Sequence, residues 1–231
     1  MGGPGENVAL NAWGAEVAGD VLLNYGFESD GEVNLWESTA KNLMCMGGRF
    51  MNPGKAVIDA TNCRIDTVQL GDPESNWTFE ADGLVNFAGA NLGVLRVQNA
   101  RFLGTAYQQH GLLALGVKAN ALLMLDPISF QNGAILNLAG AKLGALVDSQ
   151  KSWPASGDLQ LDRLTYDTLS GDAATAKDRL RWLALQPAFF PQTYRQLANV
   201  LAESGDDTGA TQVRIAAEDL RYSRYGLVGR I

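Results

Sequence analysis

Residue types that carry chemistry are sparse in this chain. One histidine, His110, and two cysteines, Cys45 and Cys63, cannot build a His-rich or Cys-rich metal site or a disulfide framework. Cofactor chemistry needs a recognisable cradle, and no G-x-G-x-x-G follows a strand to open a helix and no P-loop is present, so no cofactor is expected. Carboxylates working as acid and base must sit as a pair at a definite distance. Glu16, Asp59, Asp66 and Asp72, the outward acids weighed for that role, share no repeating offset and read as solvated surface. No catalytic, cofactor-binding or metal-ligating residue is assigned.

Composition narrows the class. The 231 residues are 46% hydrophobic and 19% charged, enough apolar material for a sizeable core. No apolar run reaches the roughly 18 residues of a membrane span, and MGGPGENVAL lacks the basic and apolar regions of a signal peptide. Free thiols in a reducing cytoplasm are the expectation, which leaves the N-W-T triplet at Asn76 without meaning as a glycosylation site.

What positions these residues is a count of five. Val85 to Gly104 divides into VNFAG, ANLGV, LRVQN and ARFLG, each with apolar or small residues at positions one and three. With those positions inward, successive coils begin at Leu10, Val33, Ile58, Val85, Leu113, Leu136 and Leu159. Four units make one coil of twenty residues, and the remainder is expected as corner loops at 30–32, 53–57, 78–84, 105–112, 133–135 and 156–158. The inward third positions of the first side read Ala12, Leu35, Ala60, Phe87, Leu115, Leu138 and Leu161. A fixed period of this kind is the signature of a solenoid, here a right-handed quadrilateral parallel β-helix of about seven coils. A sandwich of short strands gives no reason for a constant count of five.

A second regularity supports the phase. The third residue of the fourth unit is Phe27, Phe50, Phe102, Phe130 and Trp153 in five of six complete coils, which predicts an internal aromatic ladder with steps of about 4.8 Å. Asp20, Asp148, Lys118 and Asn120 fall on inward positions and resist the pattern. For the last two, VKANALLML lets Val117, Ala119 and Ala121 turn inward instead, which predicts a one-residue slip. Cys45 and Cys63 take inward positions as small hydrophobes.

Units such as ANLGV, ARFLG and Ala141–Ala145 (AKLGA) resemble the pentapeptide-repeat proteins over residues 8–169, with departures in the corner loops and in non-Ala first positions. The tail, from LGALVDSQKSWPASGDLQLDRLTYDTL to RYSRYG, resembles actinobacterial-type repeat proteins labelled membrane-associated oxidoreductase or uncharacterised. That resemblance implies a bacterial source and further membrane-spanning segments, with these residues as the soluble part.

From about residue 170 the period changes. DAATAKDRLRWLALQ, TYRQLANVLAESG and DTGATQVRIAAEDLRYSRYG show helical spacing, broken at Pro187, Pro191 and Gly205. Residues 170–231 are expected to form a three-helix cap whose second and third helices resemble a tetratricopeptide-type hairpin, over the otherwise open edge of the last coil. The first coil has no such cover. Trp13, Trp36, Val21, Leu23, Met44 and Met46 are read as outward apolar residues there, an interface for a second copy or another protein.

Charge separates the remaining readings. Residues 170–231 hold 8 basic and 7 acidic residues, leaving 10 against 18 for residues 1–169. That sign argues against direct nucleic-acid binding. The pentapeptide-repeat resemblance implies one use for an acidic rod, mimicry of duplex DNA toward a type II topoisomerase. The first-side outward row, read as Asn11, Asn34, Asp59, Asn86, Ala114, Asn137 and Gln160, is mostly neutral and does not organise such charge. The expected function is a non-catalytic scaffold or interaction module. A DNA mimic, and an enzyme acting on an outer face, are the alternatives.

Overall fold

A computed structural model describes residues 7–72, 74, 77–104 and 111–228, with side chains to residue 223. The chain is mainly β, a parallel-strand solenoid of about six turns ending in three helices. On the first side, Val8–Asn11, Glu32–Asn34, Arg49–Asp59, Phe79–Asn86, Leu112–Leu113, Leu136–Asn137 and Leu159–Gln160 stack in parallel. Asp20–Leu22 and Thr39–Met44 begin a second stack, which continues through Arg64–Leu70, Asn91–Phe102, Lys118–Phe130, Lys142–Asp148 and Thr165–Gly171. One cluster of buried side chains runs from the early coils into the helices.

The count of five has a backbone cause. At the end of each first side, the N–H three residues on donates back to the carbonyl of Ala12, Leu35, Ala60, Phe87, Ala114, Leu138 or Leu161 at 2.9–3.3 Å. The residue before that donor lies in the left-handed region, φ +56° to +68°, at Gly14, Glu37, Asn62, Gly89, Gly116, Gly140 and Arg163. A positive φ at the third residue is the geometry of a type II turn, which favours glycine. The outward row supports the same corners. Asn11, Asn34, Asp59, Asn86 and Asn137 each accept the N–H two residues ahead through a side-chain oxygen at 2.9–3.2 Å. The amide row is therefore turn machinery, the Asx pattern repeated coil by coil.

The aromatic ladder is present and has a member that the sequence count missed. Phe27, Phe50, Phe79, Phe102 and Phe130 follow one another with ring centroids 5.4, 5.4, 5.8 and 4.9 Å apart. The rings do not share one unit position. Phe50 is opposite Ala81, and Ala81 opposite Phe102, while Phe79 is opposite Ala100. Glu28 pairs with Arg49, so Phe27 lies beside Gly48, at the first position of its unit and not the third. A large residue at one inward position is met by a small one at the other: Ser29 with Phe27, Gly48 with Phe50, Ala81 with Phe79, Ala100 with Phe102. The exchange is steric, for a Cβ on Gly48 would lie 2.6 Å from the Phe50 ring. Trp153 leaves the ladder and packs at 6.5 Å on Trp182 in the cap.

Several placements differ from the sequence phase. Leu112, not Leu113, pairs with Val85 and Leu136, so Leu112 and Ala114 are buried while Leu115 is exposed and Leu113 faces outward. The slip expected at Lys118 thus begins at the preceding corner, and Lys118 and Asn120 are exposed. It is reversed at Pro127, where the register shifts between Leu125 and Ile128. Residues 53–57 belong to the strand Arg49–Asp59 and residues 79–84 to the strand Phe79–Asn86, so neither stretch is a corner loop. The ring of Phe79 is fully buried in the core. Residues 105–110, His110 among them, lie outside the described residues.

The helices are α1 (Ala176–Leu183), α2 (Pro191–Glu203) and α3 (Asp207–Val228). Thr175 caps α1, its hydroxyl accepting the Asp178 N–H at 3.1 Å. Gly205, at φ +88°, ends α2. The Asp206 N–H returns to the Leu201 carbonyl and the Gly205 N–H to that of Ala202, a Schellman closure that folds α3 back along α2.

Candidate functional site

Surfaces, not reactive groups, stand out. Cys45 and Cys63 are fully buried, and burial pushes both thiols up, Cys63 to about 12, so neither is a nucleophile near neutrality. Asp59 spends its carboxylate on the Thr61 hydroxyl at 2.6 Å and the Asn86 amide at 3.2 Å. Among the described residues no three His, Cys, Asp or Glu side chains gather in a metal-sized group. No helix among them is long and apolar enough to cross a membrane.

At the N-terminal end, Val8–Asn11, Asp20–Leu22 and Glu28–Ser29 each pair on one side only among the described residues. Leu10 is 37% exposed, although its equivalents Val33, Ile58 and Val85 are fully buried. Trp13 and Trp36 stack at 5.0 Å with their planes 12° apart, Trp13 being 47% exposed. Tyr25 meets Trp77 edge-on at 5.9 Å, and Leu22, three residues before Tyr25, is exposed.

The inward count is shifted by one here as well. Val21 pairs with the buried Leu43, and Leu23 is itself buried, so these two belong to the core and Leu22 replaces them on the outer face. Asp20, expected inside, is exposed and accepts the Asn42 amide at 2.7 Å. Met44 lies opposite Leu22 and is half-buried, and Met46 is buried despite its outward phase. The outward apolar set at this end is therefore Trp13, Leu22, Tyr25, Trp36 and Met44. The misreading has a plain cause, since in VLLN two adjacent leucines leave the alternation undefined.

The C-terminal end is built differently. Asp148 occupies an inward row that it shares with Leu70, Val97 and Met124 on the preceding coils and Gly171 on the next, and it is buried there. Arg179 of α1, fully buried, meets both carboxylate oxygens, with Nη1 to Oδ2 at 2.9 Å. The Trp153 indole N–H donates to the same Oδ2 at 2.8 Å, and the guanidinium carbon lies 5.7 and 5.4 Å from the Trp153 and Trp182 ring centres. Tyr166 packs in this region, where burial pushes its phenol up against the opposing pull of Arg179. An inward aspartate is therefore the anchor of the cap, a role visible only once Arg179 is brought to it.

Around that anchor, helix side chains complete the edge of the last coil. Gln192 accepts the Arg163 N–H at 3.0 Å and donates to the Leu164 carbonyl at 3.0 Å. Gln196 donates to the Tyr166 carbonyl at 2.7 Å, and Arg179 to that of Ser170 at 3.3 Å. Main-chain groups that would otherwise invite another strand are matched by amides from α2.

Comparison with protein-family models, with curated proteins and with solved structures yields no match to this chain, so the geometry carries the functional reading.

Proposed function

We propose that the chain is a non-catalytic scaffold that docks end-on through its first coil, with a second copy of itself as the partner. The observation behind this is the unequal finish of the two ends. At the equivalent inward position, Leu159 of the last coil is fully buried and Leu10 of the first is 37% exposed. A solenoid end has a fixed outline, and the same outline on a second copy is the surface that matches it in both shape and apolar edge. The mostly neutral outward row supports a scaffold over a DNA mimic, because its amides are committed to turns and to each other, as between Asn137 and Gln160 at 2.6 Å.

Light scattering behind size exclusion tests the reading at tens of micromolar protein. The expected mass is twice that of the chain, falling to one chain for Trp13→Glu/Leu22→Glu with unchanged circular dichroism. A wild-type chain that stays monomeric at every concentration rejects it.

A further inference from the structure

We infer that the cap carries a second docking site, a groove between α2 and α3 that takes an acidic peptide through an apolar anchor side chain. The site is independent of the first coil, so either surface can fail without the other.

The groove lies along the first half of α2 and the part of α3 that runs beside it. α2 has 13 residues and α3 has 22, and the tight Gly205 turn starts them side by side. At 1.5 Å per residue, α3 runs on by about 13 Å after α2 has ended at Pro191. Between Tyr194, Arg195 and Ala198 of α2 and Arg214, Ala217 and Arg221 of α3, a cleft of about 440 Å³ opens. Its floor is apolar: Phe189 and Tyr194, with ring centres 5.0 Å apart, together with Ala198 and Ala217. The small residues leave room for one aliphatic or aromatic side chain from outside.

The rim is cationic. Arg195 of α2 and Arg214 and Arg221 of α3 line it, with Glu218 as the one acid. Glu218 lies 3.5 Å from Arg221, whereas Arg195 and Arg214 have no carboxylate partner among the described residues. Two uncommitted guanidinium groups beside an apolar cleft match a ligand with carboxylates flanking an apolar anchor. A peptide fits better than a lipid surface because the binding region is concave.

The β-helix has the opposite charge balance. Residues 1–169 carry 10 basic against 18 acidic residues, so an acidic partner is repelled along the rod and directed to the cap.

A random twelve-residue peptide library displayed on phage, selected on the full chain, tests the assignment. The expected outcome is enrichment of peptides with Asp or Glu around Leu, Phe or Trp. Synthetic copies should bind with affinity that falls at high salt and drops about tenfold or more for Arg195→Glu/Arg214→Glu. Both arginines are exposed, so the variant should keep its fold, as circular dichroism would verify. Enrichment of basic or neutral peptides, equal binding by the variant, or no enrichment would overturn the inference. So would binding of phosphatidylserine vesicles by the wild-type chain without any selected peptide.

Discussion

The two ends of the solenoid solve the same physical problem in opposite ways. Among the described residues, each presents inward side chains and main-chain groups at the last strand of its stack that pair with a neighbouring coil on one side only. At the C-terminal end the Asp148–Arg179 pair sits between two tryptophans, while Gln192 and Gln196 match the edge amide and carbonyls. At the N-terminal end Leu10, Trp13, Leu22 and Tyr25 remain exposed among the described residues. Closing a solenoid therefore needs more than an apolar plug, because an edge strand has hydrogen-bonding demands that apolar side chains leave unmet.

Opening the closed end is the most severe challenge to that contrast. Arg179→Met leaves the Asp148 carboxylate buried without a counter-charge, held by the Trp153 indole N–H alone, and urea unfolding should show a loss of about 3–5 kcal/mol. Asp148→Leu/Arg179→Met should recover most of it, because an apolar pair of similar volume is often no worse than the ion pair. A double variant as unstable as the single one would show that the pair does more than neutralise itself.

Removing the edge matching is the next step down. Gln192→Ala/Gln196→Ala should cost about 1–2 kcal/mol in all. Its further consequence is that the C-terminal edge becomes adhesive, so light scattering should detect larger species than the wild type forms.

Corner chemistry predicts smaller effects of opposite sign. Gly116, at φ +66°, has no atom within 4 Å of the place a Cβ would occupy, so Gly116→Ala should cost about 1 kcal/mol from backbone conformation alone. Glu37 holds the same conformation at φ +56° without the glycine advantage, and Glu37→Gly should gain about 0.5 kcal/mol. Equal changes at both positions would show that the turn is not the determinant.

A pH dependence near the open end is the weakest of these effects. Burial first, and the Asp59 carboxylate second, raise the Glu32 carboxyl above its ordinary 4.5, against lowering by Asn34 and Lys55. The folded state then holds this proton more tightly than the unfolded chain does, so stability is lost as pH rises through the raised value. Glu32→Gln should raise the melting temperature slightly at pH 7, with the gain vanishing below pH 4.5.

Much of the architecture was legible because it is local. Alternation, the turn at the end of the first side and the amide that supports it are set within a few neighbours of each residue, and Val85 to Gly104 shows them in the alternating inward residues, the Ala90-to-Phe87 turn and the Asn86 side chain. What was not legible was placement by single residues. In LLAL, VLLN and FEADGLV several apolar residues compete for the same inward position, and stacking on the coils above and below chooses among them. So Leu112 rather than Leu113 went inside, Leu23 joined the core, and Phe79 completed the ladder.

A period, a mainly β solenoid and a helical tail are written in the sequence alone, because alternation and turn chemistry act at short range. The exceptions acquire meaning only in the folded chain. Asp148 reads as an error in the repeat until Arg179, 31 residues later, is folded back onto it. The large-for-small exchange between Gly48 and Phe50, or Phe79 and Ala81, likewise has meaning only when the coils are stacked. Pairings across coils depend on the summed register of every corner between them, and no local pattern carries that sum.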